Sequence, residues 1–210
     1  MDRILIATSN PGKVRDFAGI VATLRFKIAA VPGFALIPTV VEDGLTFEDN
    51  ARKKAEIYSS RVPGELVLAD DSGLEVDALN GAPGLYSARY AAEDPDQAES
   101  NSHDKANNSK LLQKLKDIPS EKRTARFVSV IAAARDGTTL ATFRGVVEGT
   151  ILETPRGSRG FGYDPLFCLP AIHKTLAEMT AKEKAGYSHR GAAFRDFLTW
   201  YESEKAAWTL

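Results

Sequence analysis

Hydrophobic positions fall into short runs and helical stripes separated by polar, glycine-bearing loops. Residues 3–7 form an apolar run that reads as a buried strand, and the polar loop Thr8-Ser9-Asn10-Pro11-Gly12-Lys13 follows. Val14, Phe17, Ala18, Val21 and Leu24 then recur at helical spacing, and a second apolar stretch runs from Phe26 to Val31. This strand-loop-helix-strand opening is typical of α/β proteins. Thr46 has the character of an N-cap with Asp49 at the capping-box position, which predicts a helix from Phe47 to about Arg61, stopped by Pro63-Gly64. Leu66 to Ala69 reads as a short buried strand ending in Asp70-Asp71-Ser72-Gly73. Asn80 to Gly84 is a turn-rich loop, and Leu111, Leu112 and Leu115 suggest one helix after a polar, weakly patterned stretch at 93–109. Phe127 to Ala134 and Thr139 to Val147 flank Arg135-Asp136-Gly137-Thr138, a hairpin signal whose first arm, apolar on both faces, predicts a central strand. Phe194, Phe197, Leu198 and Tyr201 mark a closing amphipathic helix. The order predicts a mixed β-sheet flanked by helices, with loops gathered around one cleft.

Composition narrows the class. The chain has 210 residues, 43% hydrophobic and 26% charged, with a net charge of −1. Such a chain is an ordinary globular protein with no basic field for nucleic acid. It carries one cysteine, Cys168, which excludes an internal disulfide framework and fits a reducing compartment. Cys168 lies in the apolar run Leu166 to Leu169 and reads as a packed residue. With no apolar run of membrane-span length and no leader pattern, the expectation is a cytoplasmic protein without a membrane partner.

Five polar constellations carry candidate chemistry. The loop Thr8 to Lys13 joins a strand to a helix, where main-chain amides, side-chain donors and the Lys13 ammonium suit an anion. It is not a Walker A loop, because the earlier glycine is missing and Val14 follows the lysine. Read locally, it is equally an Asn-Pro-Gly turn. Asp70 and Asp71 point to opposite faces of a strand, so at most one faces a given cleft. Carboxylates so placed suit Mg²⁺, which takes one or two carboxylates plus substrate phosphates, although a polar strand-to-turn exit explains the run equally well. Asp70 is expected to serve packing or hydrogen bonding. Glu42, Asp43, Asn50, Lys53 and Lys54 form a third group, with Asn50 and Lys54 on one helical face; its plain reading is dipole complement and solvated surface. In Gly160-Phe161-Gly162-Tyr163-Asp164 the glycines open the Phe161 ring to a planar partner, although a glycine-rich turn with a buried aromatic explains it too. Ser188, an N-cap candidate, places His189 and Arg190 in a first helical turn, where cations oppose the macrodipole. An acceptor-rich ligand would account for them.

Taken together, the segments Ala-Thr-Ser-Asn-Pro-Gly-Lys at 7–13, Gly-Leu-Thr-Phe-Glu-Asp-Asn-Ala at 44–51, Ala-Asp-Asp-Ser-Gly-Leu at 69–74, Gly-Ala-Pro-Gly-Leu-Tyr-Ser-Ala-Arg-Tyr at 81–90, Gly-Phe-Gly-Tyr-Asp-Pro at 160–165 and Ser-His-Arg-Gly at 188–191 resemble the inosine/xanthosine triphosphate pyrophosphatase family. The departures are small: Ala92 stands where many relatives have glycine, and Asp94 to Asn107 is longer than in compact members.

The resemblance implies an α/β fold with a long mixed sheet, two lobes around a central cleft, a single catalytic domain over 1–210, and a homodimer. It implies Mg²⁺-dependent hydrolysis of ITP, dITP or XTP to the monophosphate and pyrophosphate. Position by position, the phosphate loop corresponds to Thr8, Ser9, Asn10, Pro11, Gly12 and Lys13. Glu42 and Asp71 correspond to the metal ligands, and Asp71 also to the catalytic proton acceptor. Ser72 matches a substrate contact. Phe161, Gly162, Tyr163, Asp164, Lys184, His189 and Arg190 match the base-recognition set, and Lys54 a further lysine near the phosphates. A Maf-type pyrophosphatase is the nearest alternative, opposed by the Ser-His-Arg and Phe-Gly-Tyr-Asp segments. A Nudix enzyme lacks its glutamate-rich helix here, and a non-catalytic nucleotide-binding module is opposed by Glu42 and Asp71.

Overall fold

The computed structural model describes residues 3–21, 27–92 and 102–208. Leu24, Phe26 and residues 93–101, on which several expectations rested, lie outside the described residues. The chain forms a mixed seven-stranded sheet flanked by helices. Its strands are β1 (Arg3–Ile6), β2 (Lys27–Ala30), β3 (Val67–Val76), β4 (Thr124–Arg135), β5 (Thr138–Ile151), β6 (Phe167–Leu169) and β7 (Lys174–Thr175). Their hydrogen-bonded order is β2-β1-β3-β4-β5-β6-β7. β1 pairs in parallel with β2 and β3, whereas β6 pairs antiparallel with β5 and β7. The helices are α1 (Pro11–Val21), α2 (Phe47–Ser59), α3 (Ser102–Lys114), α4 (Ala181–Tyr187) and α5 (His189–Trp208).

Local chemistry accounts for several boundaries. The Thr46 hydroxyl accepts from the Asp49 amide, and the Asp49 carboxylate accepts from the Thr46 amide, so the predicted capping box opens α2. The helix ends at Ser59, two residues short of the expected Arg61. The β4–β5 hairpin turns on Asp136 (φ 51°) and Gly137 (φ 79°), the left-handed pair that a tight two-residue turn requires. β4 is the middle strand of the seven, as its two apolar faces predicted. β3 corrects an expectation: the strand does not stop at Ala69 but continues through Asp70, Asp71, Ser72 and Gly73 to Val76. Leu74 and Val76 are fully buried, and they resume the apolar pattern once the carboxylates have been neutralised by cations from elsewhere in the chain.

Contacts divide the chain into two compact units. The first comprises Met1–Asp71, Ser129–Val146 and Ala185–Leu210, and the second Ser72–Val128 and Val147–Lys184. The core of the first packs Ile4, Ile6, Phe17, Leu68, Ile131 and Phe143 with Phe194 and Phe197 of α5. The core of the second packs Leu74, Val76, Leu111, Leu115, Phe127, Tyr163 and Phe167. Cys168 is buried in β6, as its apolar setting implied. Among the described residues no helix is long and apolar enough to cross a membrane.

Candidate active site

Asp70 and Asp71 are adjacent in β3, and their carboxylates serve two separate cation groups of the first unit. Asp70, 3% exposed, takes the Lys13 ammonium at 2.7 Å and the Arg190 Nε at 3.4 Å, and it accepts from the Ser129 hydroxyl. Arg190 also reaches Asp16 of α1 at 3.1 Å. Burial alone would raise the Asp70 pKa, but Lys13 and Arg190 hold it far below the ordinary carboxylate range. The same burial lowers the Lys13 pKa, helped by the cations Lys54 and Arg190 and opposed by Asp70. Asp70 is therefore an ionised anchor at neutral pH, and ion pairing exceeds the packing role expected of it. The Ser188 hydroxyl accepts from the Gly191 amide and caps α5 as predicted. His189 and Arg190 are buried in its first turn, and the carboxylates of Asp16 and Asp70 offset the Arg190 charge there. For Arg190, the chain itself supplies two carboxylate acceptors.

Asp71 belongs to the second cation group. Lys54 Nζ donates to Asp71 Oδ1 at 3.0 Å, to Glu42 Oε1 at 2.6 Å and to the Asp70 main-chain carbonyl at 2.9 Å. Asn50 donates to Asp71 Oδ2 at 3.3 Å and accepts from the Gly44 amide at 2.8 Å, which ties the segment bearing Glu42 to β3. Burial pushes the Asp71 carboxyl above the usual range, with Lys54 opposing that rise. Burial would lower Lys54, but Asp71 and Glu42 raise its pKa on balance. A carboxylate with a raised pKa is better matched to accepting a proton near neutrality. Glu42 and Asp71, the expected metal ligands, are thus brought together around one positive centre. Oxygen donors from two carboxylates fit a hard divalent cation that completes its shell with water or phosphate.

The loop ahead of α1 departs from a bare anion cradle. Asn10 Oδ1 accepts from the amides of Gly12 at 2.8 Å and Lys13 at 3.2 Å, and the Asn10 amide donates to the Thr8 hydroxyl at 3.1 Å. Two first-turn amides are therefore satisfied by the cap residue itself. Ser9, Asn10 and Pro11 are exposed, and the cationic group of this segment is Lys13. Ser72 follows Asp71 in β3 and is half-buried.

The second unit holds the remaining candidates. Lys184 Nζ pairs with Asp164 Oδ2 at 2.7 Å, both side chains are almost fully buried, and the ammonium lies 5.0 Å from the centre of the Phe161 ring. Asp164 also accepts from the Phe161 amide at 2.9 Å. Gly160 (φ 76°) is required there, since a Cβ on it would overlap the Asp164 carboxylate. Phe161 is half-buried, and the ring that the sequence left open carries a cation. Tyr163 is 3% exposed and donates its hydroxyl to the Ser87 carbonyl at 2.9 Å; burial raises its pKa. It packs in the core and supports the loop from beneath.

Sequence reasoning missed the groups that hold these residues in place. Ser129 and Asp16 belong to the Asp70 network. Asp104 and Asn108, one turn apart on α3, clamp Gly162: Asp104 Oδ2 accepts from its amide at 2.7 Å and Asn108 donates to its carbonyl at 3.0 Å. The i, i+4 spacing of these two polar residues was the available signal.

Residues 4–200 match the model of the Ham1 family. The chain belongs to the Ham1 family. A dITP/XTP pyrophosphatase of Geobacter sulfurreducens is 46% identical over 203 residues, covering 95% of this chain and 98% of that one. Another protein of that name, from an Exiguobacterium species, is 48% identical over 193 residues, covering 92% and 93%. The Ham1 protein of Staphylococcus aureus superposes with a TM-score of 0.79 at 40% identity, over 96% of this chain and 99% of that one. Ham1 proteins thus share its mixed sheet with flanking helices.

Proposed function

We propose that this Ham1-family protein hydrolyses non-standard purine nucleoside triphosphates (ITP, dITP and XTP) to the monophosphate and pyrophosphate, as a single catalytic domain over 1–210. The observation that carries the reading is the convergence of Glu42 and Asp71 on one cationic centre in a chain so similar to dITP/XTP pyrophosphatases. The cofactor is proposed to be Mg²⁺, which Glu42 and Asp71 would hold. When bound, it supplies Lewis-acid stabilisation of phosphate charge and a template for the substrate.

The protein's own groups supply the rest of the chemistry. Asp71 orients a water toward the α-phosphorus and accepts its proton. The ammonium groups of Lys13 and Lys54 offset the charge of the triphosphate, and Thr8 to Lys13 together with Ser72 contact it. Asp70 keeps Lys13 and Arg190 in fixed orientations. Phe161 offers a ring face to the base, Gly162 shapes that loop, Tyr163 supports it, and Asp164 aims Lys184. Lys184, His189 and Arg190 are donors, which favours a 6-oxo purine over adenine, whose 6-amino group would leave buried donors unpaired. Removal of such triphosphates prevents their misincorporation into nucleic acids. We further infer a cytoplasmic homodimer.

Hydrolysis of ITP in oxygen-18 water tests the reaction. Labelled IMP and unlabelled pyrophosphate are expected. Label in pyrophosphate would mean attack at the β-phosphorus, and release of IDP with orthophosphate would overturn the proposal.

A further inference from the structure

Three oxygens from three residues converge on the Lys54 ammonium: Glu42 Oε1 at 2.6 Å, the Asp70 carbonyl at 2.9 Å and Asp71 Oδ1 at 3.0 Å. Two of them are anionic, and all are the hard donors that a divalent cation takes. The group is braced by Asn50, which holds the second Asp71 oxygen and the Gly44 amide. A divalent ion and the ammonium compete for the same lone pairs, and their like charges repel across a buried site where screening is weak. Lys13 adds to this tension. Its ammonium donates to the same Asp70 carbonyl at 3.1 Å, so two cations share one oxygen.

We propose that Lys54 is a resident counter-cation of the Glu42–Asp71 pair, which must withdraw before a divalent ion binds and is drawn away by the phosphates of the substrate. The inference rests on the triphosphate reading above and adds an order to it. Lys54 has a flexible four-carbon stem, so its ammonium can move from carboxylate to phosphate without displacement of α2. With Lys54 in place, the carboxylates are already compensated, and the substrate-free protein holds metal weakly. With phosphates present, the ammonium gains new anionic oxygens and releases the carboxylates. Metal and triphosphate therefore strengthen each other's binding, as linkage requires.

The test compares substrate-free wild type, Lys54→Met and Lys54→Arg in Mn²⁺ titrations followed by electron paramagnetic resonance, with the Mn²⁺-dependent shift in Tm as a second measurement. Methionine keeps much of the stem and removes the charge, whereas arginine keeps the charge. Lys54→Met is expected to bind Mn²⁺ at least tenfold more tightly than wild type and to show the larger Tm rise, while Lys54→Arg stays within threefold of wild type. Adding Glu42→Gln to Lys54→Met should abolish the gain, which locates it at this pair. Equal or weaker Mn²⁺ binding by Lys54→Met overturns the proposal. Should Lys54→Met be unfolded without metal, recovery of its circular dichroism by Mn²⁺ supports the proposal and failure to recover overturns it. Because these readouts use metal alone, they stand apart from the ITP product assay. A wild type that binds Mn²⁺ as expected but leaves ITP intact would refute the catalytic reading and spare the competition.

Discussion

Replacing Asp70 by asparagine keeps the shape of the side chain and removes the charge on which Lys13 and Arg190 converge. The lost contacts are the 2.7 Å pair to Lys13 and the 3.4 Å pair to Arg190, around a carboxylate whose side chain is 1% exposed. Removing one partner of a buried ion pair costs about 3–5 kcal/mol. Two features place this site at the low end. Arg190 keeps Asp16 at 3.1 Å, and Lys13, with a side chain 16% exposed, can turn toward water. We therefore expect a loss of about 3 kcal/mol, which for a chain of this size lowers Tm by about 6–12 °C. The pH dependence has a fixed sign. The Asp70 pKa is depressed in the folded state, so its contribution is complete above the unfolded value near 3.8 and fades as pH falls toward the folded value. The stability gap between wild type and Asp70→Asn should stay constant from pH 5 to 8 and close only in strong acid. Thermal and urea unfolding followed by circular dichroism at several pH values measures both. A Tm within 2 °C of wild type at pH 7, or a gap that widens in acid, would refute the anchoring role.

Further expectations separate the neighbouring groups. Asp71→Asn should stay folded while ITP turnover falls by at least about 100-fold, the lower scale of general-base catalysis; near-normal turnover would end its assignment as proton acceptor. Arg190→Ala should narrow the preference for ITP over ATP by about 1–3 kcal/mol in kcat/KM, the scale of an unsatisfied buried group, and an unchanged ratio would confine Arg190 to holding Asp16 and Asp70. Asp104→Ala removes the acceptor for the Gly162 amide. It should raise KM for ITP more than it lowers kcat, and the reverse pattern would count against a role in shaping the Phe161 loop.

Features set by residues close together in the chain were legible from the amino-acid order alone. The Thr46–Asp49 capping box, the Asp136-Gly137 turn and the stripe of Phe194, Phe197 and Tyr201 each depend on residues a few positions apart. The two apolar faces of 127–134 placed β4 in the middle of the sheet for the same reason. β3 was misread because the charges that let it continue come from far along the chain. Lys13 lies 57 residues from Asp70 and Arg190 lies 120. A run of Asp-Asp-Ser-Gly resembles an exit only while those partners are unseen. β6 and β7, three and two residues long, are too short for periodicity to register and exist through pairing alone. α3 was faint because polar bonds, from Asp104 and Asn108 to Gly162 and from Asn107 to the Ala91 amide, do much of what an apolar stripe does elsewhere.

The candidate site was legible as a list of residues but not as an arrangement. The family resemblance implied Lys13, Glu42, Asp71, Lys184 and Arg190, yet each turned out to be held by an oppositely charged neighbour within the chain. That pattern has a physical cause. Groups able to handle a triphosphate are strongly charged, and burial without compensation would cost more than a fold of marginal stability can absorb. Asp70 is the clearest instance, since it carries no assigned contact to substrate and yet sets the positions of Lys13 and Arg190 together. Lys54 meets the same demand reversibly, because the carboxylates it neutralises are those the proposed chemistry must expose. The one compensation is expected to persist through turnover and the other to exchange within it, so Asp70→Asn should register first in stability and Lys54→Met first in metal affinity.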